Sequence, residues 1–155
     1  GFARLVVANG ATVTLTGTGV NMRAGSGGFL NDTNTGYIPS SPTNVLDIAG
    51  TIRLPNATAG NGRLQFGNST RLSGWGVANL WPGGDLEVRA VQHFGSNYNS
   101  VLNFRGGVLR AKDSRTDFMS NLSRAQVLSA GAASNTGNAA SSSWIACQNG
   151  LPPSH

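Results

Sequence analysis

Residues 100–123 read SVLNFRGGVLRAKDSRTDFMSNLS, and the reading of this stretch decides the fold. Leu102 and Phe104 fall on one side of an extended strand and Asn103 and Arg105 on the other, because successive side chains point to opposite faces. After Gly106-Gly107 the apolar positions become Leu109 and Ala111, so the inward parity switches from even to odd. A glycine pair with a phase change between two strands reads as a structural corner, since glycine adopts the backbone angles that a bend or bulge demands. The polar run Asp113-Ser114-Arg115-Thr116-Asp117 has the residues to cap a short helical turn carrying Phe118, Met119 and Leu122. The expected unit is strand, glycine corner, strand, capped turn.

The run Asn103-Phe104-Arg105-Gly106-Gly107-Val108-Leu109-Arg110-Ala111 is followed by Asp113 to Leu122 and then by Val127-Leu128-Ser129-Ala130-Gly131. It resembles the autotransporter-associated β-strand repeat, over residues 84 to 136, about a third of the chain. The resemblance implies turns of a right-handed parallel β-helix in the passenger domain of a bacterial surface protein. It also implies a scaffold or display role, and it brings no catalytic residues.

Composition agrees with an all-β class. The chain has 155 residues, of which 39% are hydrophobic and only 11% charged, with 22 glycines. That length suits one domain able to bury a core without disulfides, and the apolar residues recur with strand periodicity, unlike a disordered chain. A neutral surface rich in Asn, Thr and Gly suits stacked β-turns and an extracellular location. The net charge of +5 comes from 11 basic residues against six acids. It favours long-range attraction to polyanions, although like charges form no block. Without a concentrated patch or interleaved aromatics, a specific nucleic-acid partner is not expected. The single cysteine, Cys147, allows no internal disulfide, leaving a shielded residue or an intermolecular bridge. The N-terminal GFARLVV is too short and polar for a signal peptide and reads as a processed terminus or an excerpt. No apolar run reaches the ~20 residues that span a bilayer.

Leu5-Val6-Val7 and Ala11-Thr12-Val13-Thr14-Leu15 flank Asn9-Gly10, which signals a hairpin or a tight corner. Residues 17 to 43 read as a loop insertion with glycine-rich and proline-restricted segments. Its Asn31 to Gly36 portion carries one carboxylate, too little charge for a convincing calcium loop. Leu46, Ile48, Ile52 and Leu54 alternate through Gly50 as one long strand, and further strands are expected at 64–66, 86–90, 102–104 and around 127. Taking Leu46, Leu64, Leu86, Leu102 and Val127 as anchors of successive rungs gives spacings compatible with solenoid repeats of ~20 to 45 residues. The expected architecture is a right-handed parallel β-solenoid (β-helix) over residues 1–131, followed at 132–155 by a small-residue linker and an apolar tag at Trp144-Ile145. An antiparallel β-sandwich is the alternative.

For chemistry, Asp85 and Glu87 share a strand face, the carboxylate pair best suited to cutting a glycosidic bond. Their neighbour Arg89 makes a salt-bridged surface the better reading. His93 is a lone loop histidine, and neither a Ser-His-acid order nor a metal-ligand cluster is present, so no catalytic residue, metal or cofactor is expected. Asn31, Asn56, Asn68 and Asn121 begin Asn-x-Ser/Thr sequons. The function expected is a non-enzymatic, secreted structural module on a bacterial cell surface. It self-associates head to tail into a filament through Leu5, Val6, Val7, Trp144 and Ile145, or forms part of an adhesin-type passenger. The alternative is a carbohydrate-binding module that stacks sugars on Trp75, Trp81 and Tyr98. The partners are then a second copy, a surface polysaccharide or another polyanion.

Overall fold

The computed structural model describes residues 2–19, 21–24, 43–58, 60–67, 74–94, 98–128 and 133–135. Extended segments rich in Val, Leu, Ile and Phe at alternate positions form strands, as period-two apolar patterning dictates. They are β1 (Phe2–Val7), β2 (Thr12–Thr14), β3 (Met22–Ala24), β4 (Thr43–Ile48), β5 (Thr51–Arg53), β6 (Arg63–Phe66) and β7 (Gly74–Leu80). They continue with β8 (Asp85–Val88), β9 (Ala90–His93), β10 (Tyr98–Phe104), β11 (Val108–Ala111), β12 (Met119–Ser120), β13 (Arg124–Val127) and β14 (Ala133–Asn135). The described residues contain no helix.

Three sheets share these strands. The first runs β1-β4-β7-β10-β13, the second β2-β5-β8-β11-β14 and the third β3-β6-β9-β12. The chain thus visits the sheets in turn and returns to the first one strand further along. Every pairing among the described residues is parallel. That overturns the antiparallel alternative, whose ladders need neighbouring strands of opposite direction.

The same register corrects the expected rungs. Leu5, Leu46, Ala78, Leu102 and Ala125 stack in the first sheet, whereas Leu64 belongs to the third sheet and Leu86 to the second. One circuit comprises three strands, not one, so the anchors mixed positions from different sheets. Successive circuits shorten from the 41 residues between Val6 and Asp47 to the 32 between Asp47 and Asn79 and the 24 between Asn79 and Asn103. The apparent long strand at 46–54 is two strands in different sheets, with Ala49-Gly50 between them. Alternation alone does not reveal this break, because parity is preserved across the two-residue corner. Likewise Asn9-Gly10 turns the chain from one sheet to the next and makes no hairpin. The capped helical turn is also absent: the Val91 amide donates to the Phe118 carbonyl across 2.7 Å, drawing that segment into the third sheet. The strands β3 and β14 fall within the stretches expected as loop insertion and linker.

The core lies between the three sheets. Ile48, Leu80 and Phe104 from the first meet Ile52, Leu86 and Leu109 from the second and Met22, Leu64 and Phe66 from the third, all with little or no exposure. Each fully buried aliphatic side chain contributes about 1.5–3 kcal/mol. The corner between the first two sheets admits no side chain. A Cβ on Gly50 or Gly84 would collide with the carbonyl oxygens of Ala8 and Ile48 respectively, and one on Gly107 would lie 2.5 Å from the Trp81 oxygen. Amide donation from Asp85 to Gly50 (2.9 Å) and from Val108 to Gly84 (2.8 Å) ties this glycine column together. Gly106 has φ of 100°, which only glycine adopts without strain, so the Gly106-Gly107 pair turns the chain from β10 into β11.

Candidate functional site

With every strand of the first sheet in parallel register, the outward side chains form columns. Thr43, Trp75 and Asn99 make one, and Val45, Val77, Val101 and Arg124 the next. Asp47, Asn79, Asn103 and Gln126 make the third. In this last column the Gln126 amide donates to Asn103 Oδ1 (2.7 Å), Asn103 to Asn79 Oδ1 (2.7 Å) and Asn79 to Asp47 Oδ1 (2.8 Å). A carboxylate only accepts, so Asp47 fixes which way every amide above it points. It also receives the Trp81 indole N–H at 2.8 Å and Arg4 Nε at 2.6 Å. Burial by itself raises the Asp47 carboxyl, but these hydrogen bonds from Trp81, Asn79 and Arg4 bring it below its ordinary value.

The expected aromatic trio does not converge. Trp75 opens the exposed face of β7, whereas Trp81 lies just past its other end, six residues or about 20 Å of strand away. Trp81 is committed on two sides, with its N–H on Asp47 and the Arg105 guanidinium over its ring at 4.5 Å from the centroid. Tyr98 begins β10 beside Gly74, and its side chain lies outside the described part of the structure. Of the expected assembly residues, Val7 is in the core, Leu5 packs against it and Val6 faces outward at 53% exposure. They therefore do not make one apolar patch. Trp144, Ile145, Cys147, the calcium-like loop and the sequons at Asn31 and Asn68 lie outside the described residues. Asn56 donates to the Thr16 carbonyl at 2.9 Å, and Asn121 has a left-handed φ of 59°.

The outer face of the second sheet holds the carboxylate pair. Asp85 is gripped by Arg53 (2.8 Å) from β5 and by Arg110 (2.9 Å) from β11, and Glu87 lies 4.0 Å from Arg53. Arg89, the expected partner, instead pairs with Asp113 at 2.5 Å. Burial pushes the Asp85 carboxyl up, and the two arginines more than reverse it, holding it ionised below the usual carboxylate range. A glycosidic acid needs the opposite shift. Cross-strand neighbours outweigh sequence neighbours here, because parallel stacking brings strands 32 and 25 residues apart into contact.

Sequence reasoning missed one cluster. His93 ends β9 and its Nδ1 is 3.1 Å from Ser100 Oγ, while the Ser123 amide donates to that oxygen at 2.9 Å and the Ser100 amide to Ser123 Oγ at 3.1 Å. Ser100 has no exposed surface, so no substrate reaches its oxygen and the group ties one circuit to the next. Its only signal is the 23-residue spacing of the two serines, one circuit apart. No group of three or more His, Cys, Asp or Glu among the described residues is placed to hold a metal ion. Among the described residues no helix is long and apolar enough to cross a membrane, which says nothing of strands. Compared with protein-family models, curated proteins and solved structures, the chain matches none.

Proposed function

We propose that the chain is a right-handed parallel β-solenoid serving as a non-enzymatic structural module of a bacterial surface protein, displayed outside the cell within an adhesin-type passenger. The observation that carries this reading is the strand order, which advances by three in each sheet with every pairing parallel. A path that returns to the same sheet through two others winds helically, and parallel crossovers are right-handed in nearly all proteins. Such a stack is held by contacts between neighbouring circuits and extends without new chemistry. The groups that catalysis would use, Asp47, Asp85, His93 and Ser100, are here spent on joining strands. The resemblance of residues 84 to 136 to the autotransporter-associated repeat supports the setting.

The columns of the first sheet favour a passenger segment over a head-to-tail filament. If a second copy's β1 extended this sheet beyond β13 in the same register, its Arg4 would stand beside Arg124 and its Val6 beside Gln126. Like charges directly opposite destabilise a sheet, and the last amide carbonyl of the ladder would meet an apolar side chain. The test fuses the chain, as a passenger, to an outer-membrane translocator in a bacterial display strain. Surface exposure with protease resistance is expected, together with discrete particles of the purified chain by electron microscopy. Retention inside the envelope or degradation at the surface overturns display. Concentration-dependent fibres lost on deleting residues 1 to 15 or 144 to 155 restore the filament.

A further inference from the structure

Among the described residues three large apolar side chains are exposed, Val6, Trp75 and Val127. Val6 and Val127 lie on β1 and β13, the edge strands of the first sheet, where one side has no paired strand among the described residues. Trp75 lies on β7, the middle strand, yet is 49% exposed, so an edge does not account for it. Thr43 and Asn99 flank it in register on β4 and β10. Both are half-buried, and neither of their side chains nor the Trp75 indole N–H makes a hydrogen bond among the described residues. Beside them runs the valine column Val45-Val77-Val101. The adjoining cation Arg4 is held on Asp47, and Arg124 stands two strands, about 10 Å, from Trp75 along the sheet.

We propose that this row of hydroxyl, indole and amide binds a neutral glycan, a β-linked pyranose chain lying along the stacking direction with one sugar on the Trp75 ring. The C–H face of a pyranose matches the apolar indole. Its ring hydroxyls match the unused Thr43 hydroxyl and Asn99 amide, one strand spacing of about 4.8 Å to either side. A face with no free cation beside the ring among the described residues selects an uncharged chain over a uronate or sulfated one. The inference rests on the register of the first sheet and not on surface display, so either stands if the other fails.

The test titrates the intact chain with cellohexaose, chitohexaose and, as the anionic comparison, oligogalacturonate, followed by calorimetry and by the indole N–H resonances. One of the neutral hexamers binds and moves the Trp75 resonance while leaving that of Trp81 in place. Trp75→Ala then weakens binding about tenfold, roughly 1.4 kcal/mol, Trp75→Phe retains most of it, and Asn99→Ala weakens it about threefold, in line with loss of one hydrogen bond. Should Trp75→Ala fold poorly, Trp75→Phe and Asn99→Ala supply the readout. No binding of either neutral hexamer at millimolar concentration overturns the proposal. So does binding untouched by all three substitutions, or preference for oligogalacturonate.

Discussion

At the scale of single residues, the Asp47 carboxylate has the most to lose. Its ionised form is favoured in the fold by Trp81, Asn79 and Arg4 acting against its burial. A folded-state pKa below the unfolded one gives a contribution fully present above the ordinary carboxylate value of about 4 and lost as pH falls through the lower folded value. Asp85 is depressed in the same direction by Arg53 and Arg110. Urea unfolding is therefore expected to show constant stability from about pH 7 to 5 and a decline below about pH 4. Because Arg4 is 56% exposed, its ion pair adds little, and the loss in Asp47→Asn resides in the charge-assisted hydrogen bonds, about 1–3 kcal/mol at neutral pH. The same variant narrows the difference between neutral and acid stability. An Asp47→Asn protein with the full acid loss assigns that loss elsewhere. Gly84 is the second sensitive residue, since its missing Cβ is the space occupied by the Ile48 carbonyl. Backbone cannot move aside as a side-chain tip does, so Gly84→Ala is expected to cost about 3 kcal/mol. Gly60→Ala, open around its Cβ with φ of 88°, costs only the left-handed backbone penalty of about 1–2 kcal/mol. Equal losses in thermal or urea unfolding would show that crowding at the corner is not what selects glycine there.

At the scale of elements, the amide column binds four strands of the first sheet through side chains as well as backbone. Asn103 is its middle member, accepting from Gln126 and donating to Asn79 while 7% exposed. Asn103→Leu strands an acceptor on Asn79 and a donor on Gln126, which costs about 1–3 kcal/mol for each group that water cannot reach. The expected outcome is a lower urea midpoint with β10 and β13 amides exchanging faster than those of β8 and β11. Uniform acceleration across both sheets would deny the column a local role. This column also marks the limit of what the sequence discloses. Leu102, Phe104 and Leu109 were legible as inward residues, and Gly106-Gly107 as a corner, because parity and glycine chemistry are local. The column was not, since its members lie 32, 24 and 23 residues apart and no constant period announces them. For the same reason local sequence pairs Arg89 with its strand neighbours instead of Asp113, and Trp75 with Trp81 instead of Thr43 and Asn99. Circuit length decides these neighbours, and circuit length is set by loops whose chemistry says little about how many residues they hold.

At the scale of the whole molecule, stability is expected to vary along the stack. Backbone pairing joins each strand to the strands beside it in its sheet, so the interior strands gain from two neighbours and the edge strands from one. In the first sheet β7 and β10 are flanked on both sides, while β1 and β13 are not. The core follows suit: Leu80, Leu86 and Leu102 have no exposed surface, whereas Val127, inward by its register with Phe104, is 44% exposed. Local opening draws on regions with few buried apolar contacts. Native-state hydrogen exchange should accordingly protect β7, β8 and β10 most and β1, β2 and β13 least, a gradient along the stack instead of one global value. Truncations separate the two ends of that gradient from its middle. Leu86→Ala in the third circuit removes a fully buried side chain and costs about 2–5 kcal/mol, while Val13→Ala in the first circuit, only half-buried, costs under about 1.5 kcal/mol. With backbone pairing confined to neighbouring strands of each sheet, the Val13 change speeds exchange in β1, β2 and β5 and leaves β10 and β11 as they were. If Val13→Ala accelerates every amide alike, the molecule opens as a single cooperative body and the neighbour-only account of its stability is wrong.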